Sequence, residues 1–430
     1  MKRRYVFVLA ALLALGGCSA KQQASNAAEK SSANETTVVD NRKKDEKVSF
    51  SEDDFDTQGW YCKEKYGSSS YYFLEVKNNS KATVGISGNA TALDGNDSVL
   101  GSADGSIDVL GPGETSLMTF YFSDVGDVTT VKTDLQYTQD IYYQPVISNL
   151  KVNQSINDKN VTIQVTNNGD VPAEFVEATA LFFDAEGNVI YHNSGYVADN
   201  DSEIKPGATL SDQLDSYEAF DHVNVYLNGR ADKSAKAADS SSSKGNSSVT
   251  DSDFDITEYT YSNDIARSSM YFLVIKNNSE KTVGIDGNMT AYDGSGNVIG
   301  AADGSIDVLA PEEESIATFY FNDVTGIDHV DYKLNYDTAP YYTSGLKDLK
   351  VEENINSKNV VVTVTNNGTE ASQFVEAHAL FFDSQGNVIS YESTYVVDDD
   401  SVIKPGATIS KQIDSYKPFD TVKVYLTGRR

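Results

Sequence analysis

The chain has 430 residues, with 64 acidic side chains against 34 basic ones and a formal charge of -30. A surface of that sign repels phosphate backbones and anionic headgroups, which excludes nucleic acid as a partner. Tyrosine is abundant (26), whereas Met (4), His (4) and Trp (1) are scarce; with plentiful Val, Thr, Asn and Gly, this favours strands and turns over helices.

At the N-terminus, Lys2, Arg3 and Arg4 precede an apolar run over 5–15, shorter than the ~20 residues a spanning helix needs. It ends in Leu15-Gly16-Gly17-Cys18, which resembles the bacterial lipoprotein signal. That resemblance implies removal of 1–17, a diacylglycerol on the Cys18 thiol, and a chain anchored to the cell membrane on its extracytoplasmic side. Residues 18–49 then form the lipidated N-terminus and a polar tether. With Cys18 consumed, Cys62 has no partner, so the folded part has no disulfide. Cys62 reads as a small buried apolar residue.

From residue 50 onward the chain repeats itself. A shift of 199 residues superimposes 50–230 on 249–429 without a gap, and "ADGSIDVL" stands unaltered at 103–110 and 302–309. A weaker repeat of about 90 residues lies inside each copy, as in "VKNNS" (76–80) and "VTNNG" (165–169). The chain is therefore four related units, at 50–137, 147–229, 250–336 and 346–428. The Ser-rich stretch 231–249 reads as a flexible linker. Few apolar side chains there predict two copies that touch little and fold separately. The joints inside each copy, at 138–146 and 337–345, read as stiffer.

Within unit two, "NVTIQVTNN" alternates Val161, Ile163 and Val165 against polar neighbours, a half-buried strand. "FVEATALFF" (175–183) places Val176, Ala178, Ala180 and Phe182 on one face, and "VNVYLNG" does the same with Val223, Val225 and Leu227. No 12-residue stretch beyond the signal has helical apolar spacing. Short strands with turn signals every 8–12 residues predict all-β sandwiches. The repeated "FFDAEGNVI" and "FFDSQGNVI" each read as a hairpin. Asp184 or Asp383 opens the turn, and Gly187 or Gly386 takes the positive φ that closes it. Calcium binding is the competing reading of these acids, with Asp94 and Asp293 as its candidates in units one and three.

Asn167, Asn168, Phe182, Phe183, Asp184, Gly187, Pro206, Gly207 and the 223–227 strand together resemble the FxLYD-type immunoglobulin-like domains of bacterial lipoproteins. Unit four carries the same pattern at Asn366, Asn367, Phe381, Phe382, Asp383, Gly386, Pro405, Gly406 and 422–426. Units one and three depart from it: Leu93 and Tyr292 replace the aromatic pair, and unit three has Pro311-Glu312 for Pro-Gly. The resemblance implies four immunoglobulin-like sandwiches in two tandem pairs, seven strands each, displayed outside the cell, with no catalytic residue and no cofactor.

The repeat also serves as an internal control on chemistry. None of the four histidines recurs: His192 corresponds to Tyr391, His222 to Thr421, His329 to Thr130 and His378 to Thr179. No phosphate loop, Gly-x-Ser-x-Gly elbow or Cys–His arrangement is present, so the chain reads as non-enzymatic. Paired tyrosines recur at the joints, Tyr142-Tyr143 and Tyr341-Tyr342. They read either as packing between units or as a platform for a peptide or glycan. The resulting expectation is a surface protein that presents its domains for binding or adhesion to an envelope or host-surface protein or glycan. A structural spacer and a calcium-dependent module are the alternatives.

Overall fold

The computed structural model describes residues 49–430 apart from 66, 140, 236–248, 264–265 and 399. The signal segment, Cys18, most of the tether and most of the Ser-rich linker lie outside the described residues. Unit one consists of β1 (Phe55–Lys63), β2 (Ser70–Asn78), β3 (Val84–Leu93), β4 (Val99–Leu110), β5 (Thr115–Phe122) and β6 (Thr130–Thr138). They form sheets β1-β2-β5 and β4-β3-β6. Unit two contains β7 (Tyr143–Pro145), β8 (Leu150–Ile156), β9 (Asn160–Asn167), β10 (Ala173–Phe183), β11 (Val189–Ile204), β12 (Thr209–Asp215) and β13 (His222–Asp232). Its sheets are β11-β10-β13-β7 and β12-β9-β8.

Unit three repeats unit one with β14 (Phe254–Asn263), β15 (Ser268–Asn277), β16 (Val283–Tyr292), β17 (Val298–Leu309), β18 (Glu314–Phe321) and β19 (His329–Asp337). Unit four repeats unit two with β20 (Leu349–Ile355), β21 (Asn359–Asn366), β22 (Gln373–Phe382), β23 (Val388–Val397), β24 (Thr408–Asp414) and β25 (Thr421–Arg429). Every pairing is antiparallel. The protein is all-β, four immunoglobulin-like sandwiches in two tandem pairs. Among the described residues, six strands build units one, three and four, fewer than the seven expected, and unit two has a seventh, β7. Three strands per sheet suffice because one sheet of each unit is covered on its outer face as well.

The asparagine pairs that mark each unit divide their work. Asn167 is 1% exposed. Its Nδ2 donates to the carbonyls of Val171 (2.8 Å) and Ile204 (2.7 Å), and its Oδ1 accepts the Gly169 N–H (2.8 Å). Asn78, Asn277 and Asn366 make the same three bonds in their own units. A short amide is the side chain that can satisfy two carbonyls and one N–H at once, so the motif is a buried plug across the end of each sandwich. Asn168 beside it is exposed.

Within each pair the sandwiches join through apolar layers. Phe73 and Leu117 of unit one meet Leu181, Phe183 and Val189 of unit two, with Trp60 and Tyr226 at the margin. Phe272, Val274, Ile316, Leu380 and Phe382 form the equivalent layer between units three and four. Buried carboxylates fix the joints. Glu114 accepts the N–H of Gly111 (2.7 Å) and of Ser148 (2.8 Å), and Glu313 accepts those of Ala310 (2.8 Å) and Lys347 (3.0 Å).

The expectation that the two copies touch little is corrected. β12 of unit two lies against β16 and β17 of unit three. Ser211 N–H donates to Asn288 Oδ1 (3.0 Å), Asn288 Nδ2 donates back to the Ser211 carbonyl (2.6 Å), and the Ser211 and Thr290 hydroxyls pair at 2.7 Å. Lys333 donates to the Thr209 carbonyl at 2.8 Å. A contact held by hydrogen bonds leaves no apolar signature, and linker composition says nothing about the faces it connects. The linker also begins later than 231, because Ala231 is fully buried and pairs with Gln144.

Asp212 sits beside this contact. Burial first, then the carboxylate of Asp303, push its carboxyl up to about 7. A carboxyl raised in the folded state adds stability that is complete below its unfolded pKa, near ~4, and is lost as pH rises through about 7. Urea titrations of the wild type should therefore show a loss of roughly 2–3 kcal/mol between about pH 5 and pH 8. Asp212→Asn should flatten that profile and be the more stable protein at about pH 8. Equal pH profiles for the two proteins would contradict the assignment.

Candidate binding cleft

Where β1 and β2 of unit one meet β11 of unit two, the apolar layer opens into a cleft of about 420 Å³. Tyr71 comes from β2, Tyr191 and His192 from β11, and Tyr217 from the turn after β12. The Tyr71 ring lies 4.2 Å from the His192 imidazole and 5.0 Å from the Tyr121 ring. Tyr217 meets Tyr191 edge-on at 5.4 Å and is 79% exposed. Lys65 and Glu218 pair across the two units beside it.

Burial pulls the His192 pKa down to about 4, so its imidazole is neutral above about pH 5. Burial, with Glu64 second, pushes Tyr71 up to about 12 and the Cys62 thiol up to about 11. Cys62, 4% exposed, is thus a protonated packing group under the cleft. The walls offer the ring faces of Tyr71, Tyr191, His192 and Tyr217 beside the charged side chains of Lys63, Glu64, Lys65 and Glu218, which suits stacking on a ligand that also carries polar groups.

The tyrosines at the joints split their roles. The Arg230 guanidinium lies between the rings of Tyr143 (4.0 Å) and Phe175 (4.1 Å) and pairs with Asp108 of unit one. Arg429 repeats this between Tyr342 (3.9 Å) and Phe374 (4.1 Å), paired with Asp307. Phe175 and Phe374 have φ of 49 and 47, a left-handed conformation that a bulky residue holds only at a cost. Tyr142 and Tyr341 stand out at 81% and 92% exposure. Tyr341 meets Tyr342 edge-on at 5.0 Å and 89°, so that pair makes no single flat platform.

The hairpin acids have turn partners. Asp184 Oδ1 accepts the N–H of Glu186 (3.1 Å) and Asn188 (2.8 Å), and Oδ2 accepts Asn188 Nδ2 (2.9 Å). Asp383 and Asp293 repeat the pattern with Asn387 and Asn297, and Asp94 bonds the backbone of Asn96 and Ser98. Hydrogen bonds from the following asparagine, or from the Ser98 backbone for Asp94, hold all four carboxyls below their usual range. Among the described residues, no group of three or more His, Cys, Asp or Glu side chains is placed to hold a metal.

Gly187 and Gly386 have φ of 85 and 86, with open space where a Cβ would stand. The cost of a side chain there is therefore purely conformational. Gly187→Val should destabilise the protein by roughly 1–2 kcal/mol, and Asp184→Asn should leave its melting temperature nearly unchanged. A large loss with Asn, alongside calcium stabilisation of the wild type alone, would favour the metal reading.

Sequence reasoning missed the cleft itself. A signal existed: "DSYEAF" (215–220) returns as "DSYKPF" (414–419), and both tyrosines are exposed, Tyr217 at 79% and Tyr416 at 82%. Tyr121 with Tyr320 and Tyr196 with Tyr395 also recur as exposed pairs.

No protein-family model matches the chain, and no curated protein matches it. Among solved structures, a likeness to Escherichia coli alpha-2-macroglobulin activated by porcine elastase has 8% identity and a TM-score of 0.13. It covers 86% of this chain but only 44% of that one, so the chain spans less than half of that structure's length.

Proposed function

We propose that this chain is a lipid-anchored, non-enzymatic binding protein of the bacterial cell envelope, held outside the cytoplasm through Cys18, with FxLYD-type units two and four. Its ligand is a neutral or basic peptide or glycan taken up by ring stacking. The observation that carries this reading is the aromatic cleft, walled by Tyr71, Tyr191, His192 and Tyr217, in a surface where exposed tyrosines recur in both copies. Tyrosine supplies large contact area at low entropic cost, which is why it is enriched where proteins bind. The acidic surface disfavours anionic ligands.

Peptide and glycan arrays probed with residues 19–430 test this directly. Binding that Tyr71→Ala and Tyr217→Ala each weaken about ten-fold or more supports the reading. No captured ligand, or capture indifferent to both changes, overturns it. Mass spectrometry of membrane fractions should find an acylated N-terminal Cys18; a chain cut elsewhere contradicts the anchor. The apolar layers between units favour a second role as a stiff spacer.

A further inference from the structure

The duplication leaves one copy of an internal contact unused. Inside the chain, the outer face of β12 in unit two docks on the outer face of β16 and β17 in unit three. Unit four carries the same face as unit two, and unit one the same face as unit three. Thr408, Ser410, Gln412 and Asp414 stand where Thr209, Ser211, Gln213 and Asp215 stand in the contact. Asn89, Thr91, Val99 and Asp104 likewise correspond to Asn288, Thr290, Val298 and Asp303.

These spare faces are bare. Ser211 is 2% exposed in the contact, whereas Ser410 is exposed. Val99 is 68% exposed and Leu100 38%, where Val298 and Ile299 are half-buried.

We propose that unit four of one molecule docks on unit one of the next in the geometry that joins units two and three, so that the protein assembles head to tail. The charges support a second copy as the occupant. The internal contact has Asp212 on the unit-two side and Lys333 on the unit-three side. On the spare faces both signs are exchanged together, Lys411 in unit four and Asp134 in unit one, and both are exposed. Inside the chain these two groups act separately: the charge that Asp212 faces is Asp303, and Lys333 donates to the Thr209 carbonyl. Asp212 faces the field of Asp303; in the assembly Lys411 instead meets the equivalent Asp104 as an opposite charge. The contact joins two different faces, so it is heterologous and continues from molecule to molecule unless a ring closes. Three contacts change unfavourably: Asn322 donates to Asp215 inside the chain and Ser123 replaces it, Lys333 donates to the Thr209 carbonyl and Asp134 replaces it, and Gln164 donates to the Tyr292 hydroxyl where Thr363 and Leu93 stand instead.

Sedimentation velocity of residues 19–430, from about 1 to 500 µM, tests the proposal. Concentration-dependent growth beyond a dimer is expected. Lys411→Asp and Asp104→Lys should each weaken association about ten-fold or more at low salt. The double variant restores an opposite-charge contact with its signs exchanged and should recover association to within about three-fold of wild type. Both positions are exposed, and unchanged circular dichroism will show that folding is intact. A monomer across the whole range, growth that stops at a dimer, single variants that associate like wild type, or a double variant that fails to recover would each overturn the proposal.

Discussion

Asn167→Ala should cost unit two roughly 3–5 kcal/mol, among the largest effects of any polar substitution in the protein. The change removes three hydrogen bonds, yet their net worth is the smaller part of the loss. Two carbonyls, those of Val171 and Ile204, and the Gly169 N–H stay behind. The Ile204 bond is wholly buried, and an orphaned buried polar group costs about 1–3 kcal/mol. Asn168→Ala is the control: that side chain is exposed and should change stability by no more than about 0.5 kcal/mol. Urea unfolding of the two variants side by side checks the pair. Comparable losses would mean that the plug is not what closes the sandwich.

Leu181→Asp should be more severe, and in a different place. Leu181 is fully buried, but it points away from the core of unit two into the layer shared with unit one. Removing the side chain alone would cost about 2–5 kcal/mol. A carboxylate among Phe73, Leu117 and Phe183 adds the cost of desolvating a charge. The expected result is a total above about 4 kcal/mol, with units one and two unfolding in separate transitions by calorimetry. A single transition at an unchanged temperature would show that the layer does not couple the two units.

The sandwich cores were legible because period-two alternation is a direct consequence of one buried face, as in Val161, Ile163 and Val165. The four-unit organisation was legible from the repeat. The layer between units was less so, although a signal was present. In "ATALFF" the residues between the core-facing ones, Leu181 and Phe183, are apolar too, the mark of a strand covered on both faces. The contact between the copies was not legible. Ser211, Asn288 and Thr290 look like solvated strand residues until the opposing face supplies their partners. The cleft was hidden for a related reason: Tyr71, His192 and Tyr217 lie far apart in sequence and in different units, and only docking brings them together.

The central structural claim is that paired sandwiches share an apolar layer, and the protein's one tryptophan reports on it. Trp60 packs edge-on against Phe183 of unit two at 5.8 Å and near Tyr226 at 6.2 Å. The most direct measurement is the emission spectrum and acrylamide quenching of Trp60 in wild type and Leu181→Asp. Native wild type should emit to the blue of free tryptophan and resist quenching, and the variant should shift red at temperatures where its circular dichroism is still β-type. A native Trp60 that already emits and quenches like free tryptophan would contradict the layer and the paired architecture built on it.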